Sequence, residues 1–269
     1  MCIRDRYQYL GNKRTADNKN DFQKGSFLGP RYGNAEIIKF LKAKNISYVE
    51  IKNEEIPEHI ADLINEGRVI GWFQGRLEFG PRALGSRSII GDARSPKMQE
   101  IMNLKIKFRE SFRPFAPSVL EEKAPEYFEL DKKSPYMLLV APVKETKRCR
   151  MAQNEGELFG LAKLNVVRSE IPAVTHVDYS ARIQTVNRDT NPLYYDMIKK
   201  FDEKYGCPVI INTSFNVRGE PIVASPEDAY LCFMRTNMDY LIMGNIILEK
   251  KSQRALDKDI DWLREYELD

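Results

Sequence analysis

Apolar positions recur along this chain at two periods, and the two alternate from end to end. At helical spacing, Ile37, Ile38 and Leu41 share one face of the segment AEIIKFLKAK, with Asn34 placed to cap it. Pro57 suits the first turn of a second helix that carries Ile60, Leu63 and Ile64 to Asn65, and Gly67 suits its end. A third helix is expected from Pro96 to Ile106, a fourth from Pro192 to Tyr205 closed by Gly206, and a fifth from Pro226 to Arg235 opened by Ser225. At strand spacing, or as short apolar runs, stand Ser47–Ile51, Arg68–Gln74, Tyr136–Val140, Ile171–Val174, Ala181–Val186, Pro208–Asn212, Asp239–Met243 and Asn245–Glu249. Phe112–Val119 reads as extended, but Pro114 and Pro117 argue against a central strand throughout. Lys144–Glu157 reads as a charged loop. Strands and helices interleave without internal repeat, which predicts an α/β (α+β) sheet domain.

Two ends stand apart. Residues 1–25 are polar and Asn/Lys-rich, and read as a non-native start followed by a residual linker from a missing domain. Residues 26–250 carry the periodic pattern, and 251–269 form a charged tail. The chain has 269 residues, 42% of them hydrophobic and 30% charged, as expected of an ordinary globular protein. The N-terminus lacks an apolar signal core and no run reaches membrane-spanning length, so a cytoplasmic protein without membrane contact is expected. The four cysteines form no CxxC pair, and two histidines are too few for a His-rich metal site.

Charge changes this picture locally. The net formal charge is only +3, too mild to predict nucleic acid as a partner. Yet from Arg76 to Arg113 nine basic residues meet four acidic ones, and they are dispersed among Gly, Pro and Phe. That pattern suits a folded cavity gathering cations around a compact polyanion. Three sets of residues could build it. In KFR, an extended backbone would aim Lys107 and Arg109 to one side, useful if an anion lies between them. In NTSFN, Ser214 and Asn216 share the same i, i+2 relation at the end of a strand, where ligands of open sheets bind. In EFGPRALGSR, Arg82 and Arg87 flank a Gly-framed loop whose amides could approach phosphate. THVDYSAR adds His176, Asp178 and Arg182. There is no GxxxxGK[ST], GxGxxG or HExxH. The residues therefore point to phosphate or nucleotide binding without a P-loop.

The stretches GRLEFGPRALGSRSI, KIKFRESFRPFAPSV, PAVTHVD, ARIQTV, NTSFNVRGEPIV and MDYLIMGN resemble the C-terminal half of the O-carbamoyltransferases of the nodulation, cephamycin and aminoglycoside-antibiotic type. The resemblance implies a YrdC/Sua5-like twisted open sheet with flanking helices and a basic cavity, whose KxR and SxN tetrad falls on Lys107, Arg109, Ser214 and Asn216. It implies that carbamoyl phosphate and ATP, with Mg2+, give carbamoyl adenylate. A Kae1-like domain with an HxxxH metal site, absent from this chain, then carbamoylates a hydroxyl. Lys107, Arg109 and Arg113 would surround carbamoyl phosphate and the adenylate. Arg82, Arg87, Ser214 and Asn216 would face ATP, and His176 and Arg182 would line the cavity. Tyr179–Ser180 stands where the family has Gly–Thr or Gly–Ser, a change that would narrow the pocket or strain the turn. A non-catalytic nucleotide- or RNA-binding module and a threonylcarbamoyl-adenylate synthase are the alternatives.

Overall fold

The computed structural model describes residues 8–11, 21, 23–149, 160 and 166–254. The expected leader and tail lie largely outside them, as does the expected loop from residue 150 on. Among the described residues nine strands form one mixed sheet in the order β1-β9-β8-β2-β3-β7-β4-β6-β5. They are β1 (Val49–Glu50), β2 (Ile70–Phe73), β3 (Arg87–Asp92), β4 (Ala116–Leu120), β5 (Leu139–Pro142), β6 (Ser180–Val186), β7 (Val209–Ser214), β8 (Tyr240–Met243) and β9 (Ile246–Glu249). Strands β2/β8 and β4/β6 pair in parallel, and the other neighbours pair antiparallel. Every residue of β2, β3 and β4 is buried, as expected for strands covered on both faces. The expected α/β class and open sheet with flanking helices are what the structure shows.

The helices that supply the cover are α1 (Asn34–Ala43), α2 (Ile56–Asn65), α3 (Met98–Met102), α4 (Ala124–Tyr127), α5 (Pro192–Tyr205) and α6 (Pro226–Arg235). Helix α2 packs along α5, and the pair lies on β3, β4 and β7; α1 meets α6, which lies on β2 and β8. One hydrophobic cluster runs from Ile37 to Leu248. Helices α5 and α6 fall where the pattern places them because their ends are locally encoded. Asn191 Oδ1 accepts from Tyr194 N, Ser225 Oγ accepts from Asp228 N, and Gly206 closes α5 at φ 69°.

Four expectations change. Asn34 is not the cap of α1: Gly33 holds that position with Glu36 Oε2 on its N–H, and the Asn34 side chain instead reaches Asn245. The helix expected to reach Ile106 stops at Met102 and widens into a π-turn, Asn103–Lys107. Ile171–Val174 is not a strand but a 3-10 turn over Pro172–Val174, since Pro172 at its start supplies the φ of a helical turn and no N–H for a ladder. The strand expected at Tyr136 begins at Leu139, because Met137 sits at φ 53°. Pro117 does lie in an interior strand, between β7 and β6. The ladder to β6 starts one residue later, at Ser118, so that edge needs no N–H from the proline. No helix among the described residues is long and apolar enough to cross a membrane.

Candidate functional site

The site begins at the end of β7. Between Ser214 and Asn216, Phe215 is fully buried, and its ring lies where a side chain on Gly71 of β2 would clash, at 2.7 Å from a Cβ built there. This anchor turns Ser214 and Asn216 to one side, and Ser214 Oγ donates to Asn216 Oδ1 at 2.7 Å. Into that corner comes Lys107. Its Nζ donates to Ser214 O, Asn216 O and Asn216 Oδ1, the last two at 2.8 Å, with Ser214 Oγ at 3.3 Å. The tetrad members Lys107, Ser214 and Asn216, 107 and 109 residues apart in sequence, therefore form one hydrogen-bonded unit.

KFR is not extended. Lys107 ends the π-turn and Phe108 is left-handed at φ 48°, so the two cations are brought to the cavity by a tight turn rather than by strand alternation. Asn103, fully buried, holds that turn. Its Nδ2 donates to Ser111 O (2.9 Å) and Arg113 O (2.8 Å), while its Oδ1 and backbone O accept from Arg109 Nε (2.6 Å) and Arg109 N (3.1 Å). A π-turn inside a helix recurs at functional sites because it re-aims side chains by one position. Asn103 went unrecognised in the sequence; the signal was an amide on the buried stripe of Met98 and Met102.

The Gly-framed loop is organised differently from expectation. Glu78 is buried, and its Oε1 accepts from Leu84 N (2.8 Å), Ser86 N (2.6 Å) and Arg87 N (3.0 Å). Gly85 N donates to Ser88 Oγ. The amides expected to meet phosphate are thus already satisfied by a carboxylate of the chain itself. Burial pushes the Glu78 pKa up, and the three N–H donors pull against that shift. Arg87 is also reassigned. It is fully buried, donates to Gln74 O at 2.7 Å and Pro30 O at 3.3 Å, and stacks 3.6 Å over Phe73. It fastens the loop and does not line the cavity. Gly85, at φ 97°, lies so close to the Tyr194 ring that a Cβ would come within 2.4 Å, which fixes the loop's height above α5.

The loop and the turn enclose a cavity of about 670 Å³. Arg82, Arg109, Arg113 and Arg182 line it with His176 and Ser214, and no Asp or Glu does. Among the described residues none of the four arginines has a carboxylate within ion-pair distance, and the buried Nε atoms of Arg82 and Arg182 have no hydrogen-bond partner. Burial, then Arg113, pushes Arg109 down to about 10; burial, then Arg82, lowers Arg182. Guanidiniums crowded in this way gain from an anion among them. A smaller cavity of about 280 Å³ adjoins, sharing Arg109, Arg113 and Ser214 and adding Lys107 and Asn216. His176 is half-exposed, its Nδ1 lying 3.1 Å from Asp178 Oδ1. Ser180 Oγ and N, with His176, hold Asp178 down to about 2.

Lys107 gives the site a pH dependence. Burial and Arg109 push its ammonium down to about 7, against Cys232 and Glu220, which raise it. A bound anion favours the charged form, so binding takes up a proton where the free lysine is neutral. Sulfate, which does not titrate here, should bind roughly three- to tenfold more weakly at pH 8.5 than at pH 6, with a binding enthalpy at pH 8.5 that changes with buffer ionisation heat. A flat profile would remove Lys107 from the anion site.

Tyr179 decides between narrowing and strain. It sits at φ 64°, where glycine is free and tyrosine is not, so the turn is strained. Its ring lies under Arg148, 4.9 Å from the guanidinium, and does not line the cavity. Tyr179→Gly should therefore leave sulfate affinity within about twofold of the parent in a titration.

No group of three or more His, Cys, Asp or Glu side chains gathers among the described residues as a metal site. The carbamoyltransferase C-terminus family model matches residues 61–250. An uncharacterized protein of Synechocystis sp., sll1178, is 55% identical over 265 residues, covering 98% of this chain and 43% of that protein. Nodulation protein NolO of Bradyrhizobium diazoefficiens is 41% identical over 235 residues, covering 86% of this chain and 39% of that protein. The chain thus spans about two fifths of the length of these relatives. Among solved structures, full-length HypF in the phosphate- and nucleotide-bound form matches at 14% identity and a TM-score of 0.45, covering 79% of this chain and 23% of that one. Sua5 of P. abyssi matches at 14% identity and a TM-score of 0.47, covering 72% and 50%.

Proposed function

Since this chain belongs to the carbamoyltransferase C-terminus family, we propose that its arginine cavity binds carbamoyl phosphate and ATP and makes carbamoyl adenylate. The observation that carries this reading is a cavity lined by four arginines and no carboxylate. Both substrates are polyanions whose approach is opposed by repulsion, and converging guanidiniums offset it.

Water takes the phosphate from carbamoyl phosphate, leaving carbamate. A carbamate oxygen then attacks the α-phosphorus of ATP, the bond to the β-phosphate oxygen breaks, and pyrophosphate leaves. The products are carbamoyl adenylate, phosphate and pyrophosphate. Arg109 and Arg113 stabilise the charge that develops, held in place by Asn103. Lys107 supplies charge and fixes Ser214 and Asn216. Arg82 and Arg182 bind the remaining phosphate oxygens, with His176 on the wall. The lining offers no carboxylate cage for Mg2+, so the ion would travel with the triphosphate and no step is assigned to it. Transfer to a hydroxyl acceptor belongs to a Kae1-like domain outside this chain.

Pyrophosphate release tests the reading. The chain should release it from ATP with carbamoyl phosphate, and not with threonine and bicarbonate instead. Release only in the second mixture would favour a threonylcarbamoyl-adenylate synthase; release in neither, with nucleotide bound, would favour a binding module.

A further inference from the structure

Behind the lysine corner lies a buried carboxylate that the proposed chemistry does not use. Glu220 is 9% exposed, and it is the one acidic side chain lining the small cavity that holds Lys107, Arg109 and Arg113. The turn after β7 brings it there. Gly219, at φ 77°, bends the chain back; Glu220 N donates to Val217 O at 3.3 Å, and Glu220 Oε2 accepts from Val217 N at 2.8 Å. The backbone oxygen of Glu220 accepts from Asn216 Nδ2 at 2.7 Å. From α6, the buried Cys232 thiol donates to the Glu220 carboxylate.

These contacts fix two things at the corner. The first is which way the Asn216 amide stands. A carbonyl only accepts, so Nδ2 must face Glu220 O, and Oδ1 is left to face Lys107. The second is charge. Lys107 Nζ meets Ser214 O, Asn216 O and Asn216 Oδ1, three oxygens that can only accept. Three acceptors call for three N–H donors, which an ammonium has and a neutral amine lacks. A buried ammonium beside Arg109 needs negative charge near it. The groups facing Lys107 are Arg109 from the turn, Cys232 from α6 and Glu220, and Arg235 of α6 faces Glu220 in turn. Burial pushes the Cys232 thiol up, so at neutral pH Glu220 carries the negative charge. Burial pushes the Glu220 carboxyl up as well, while the Val217 N–H, the Cys232 thiol, Arg235 and Lys107 all pull it back. We infer that Glu220 is a positioning residue of the anion site, the counterion of the Lys107 ammonium and the clasp that fixes the Asn216 amide. Its effect passes through those two residues. The inference rests on the anion-binding reading proposed above and adds what readies its lysine.

The test follows sulfate affinity against pH in the parent chain and in Glu220→Gln, which keeps an acceptor for Val217 N and removes the charge. Without the carboxylate Lys107 gives up its proton at lower pH. The midpoint of the profile should therefore fall by about half a pH unit or more, while denaturant unfolding stays cooperative. An unmoved or raised midpoint in the folded variant would leave Glu220 a purely structural role and overturn the inference, with anion binding intact. A flat profile in the parent would remove Lys107 from the anion site and take the inference with it. If the variant does not fold, the parent decides. There the 13C signal of the Lys107 ε-carbon should inflect twice with pH, once with its own ammonium and once, at lower pH, with the Glu220 carboxyl. A single inflection would overturn the pairing. Neither measurement uses carbamoyl phosphate or ATP, so the inference stands or fails apart from the proposed chemistry.

Discussion

Lys107→Ala lowers pyrophosphate release from ATP and carbamoyl phosphate by about 10³-fold or more. The loss has two sources. One is the charge, which in a water-poor site counts for far more than in solvent. The other is the corner itself. Four oxygens of Ser214 and Asn216 surround the ammonium, and without it the two backbone carbonyls lose that donor, leaving only the Ser214 hydroxyl's bond to Asn216 Oδ1 in the corner. Lys107→Arg should fail nearly as badly, since a planar fork cannot replace a compact ammonium in a space shaped by two carbonyls and two side chains. An unchanged cooperative denaturant-unfolding curve is the control for folding. A Lys107→Ala chain that keeps more than about a tenth of the parent rate would remove the lysine from the chemistry.

Glu78→Ala destabilises the chain by about 4 kcal/mol, measured by denaturant unfolding. Three buried N–H groups lose their acceptor at once, and each unsatisfied donor costs roughly 1–3 kcal/mol. Glu78→Gln should cost only about 1 kcal/mol, because the same three groups converge on Oε1, which glutamine retains. Equal losses in the two variants would mean that the negative charge, rather than the acceptor geometry, holds the loop.

The contrast between Lys107 and Glu78 also shows what a sequence can carry. Ser214, Asn216, Lys107 and Arg109 were identified from spacing and resemblance, and the structure brings them together. Spacing gave the correct geometry for Ser214 and Asn216, which lie at a strand end where side chains alternate. It gave the wrong geometry for Lys107 and Arg109, since a π-turn depends on Asn103 reaching across to residues 109–113 and has no local signature. Arg87 was placed on the nucleotide side for a related reason: only the packing of the loop against Phe73 and Tyr194 shows that it is interior, and Glu78, to which no role was given, is interior with it. Helices α5 and α6 were legible to the residue because proline, caps and glycine mark their ends. The prolines of Phe112–Val119 were read correctly as barring a strand throughout, since β4 begins only at Ala116; that Pro117 is tolerated inside it depends on where the pairing with β6 begins.

The sheet order has a consequence for how the molecule is made. Strand β7 lies between β3 and β4, yet it follows both in the chain by about a hundred residues. A polypeptide emerging from the ribosome therefore carries β3 and β4 with unpaired edges while more than eighty further residues are added. Those two edges can join each other directly, and such a pairing must open before β7 can enter. The same event that seals the sheet delivers Ser214 and Asn216 to Lys107. Partly made chains are consequently inert as well as adhesive, and the appearance of activity during refolding should coincide with the insertion of this one late strand.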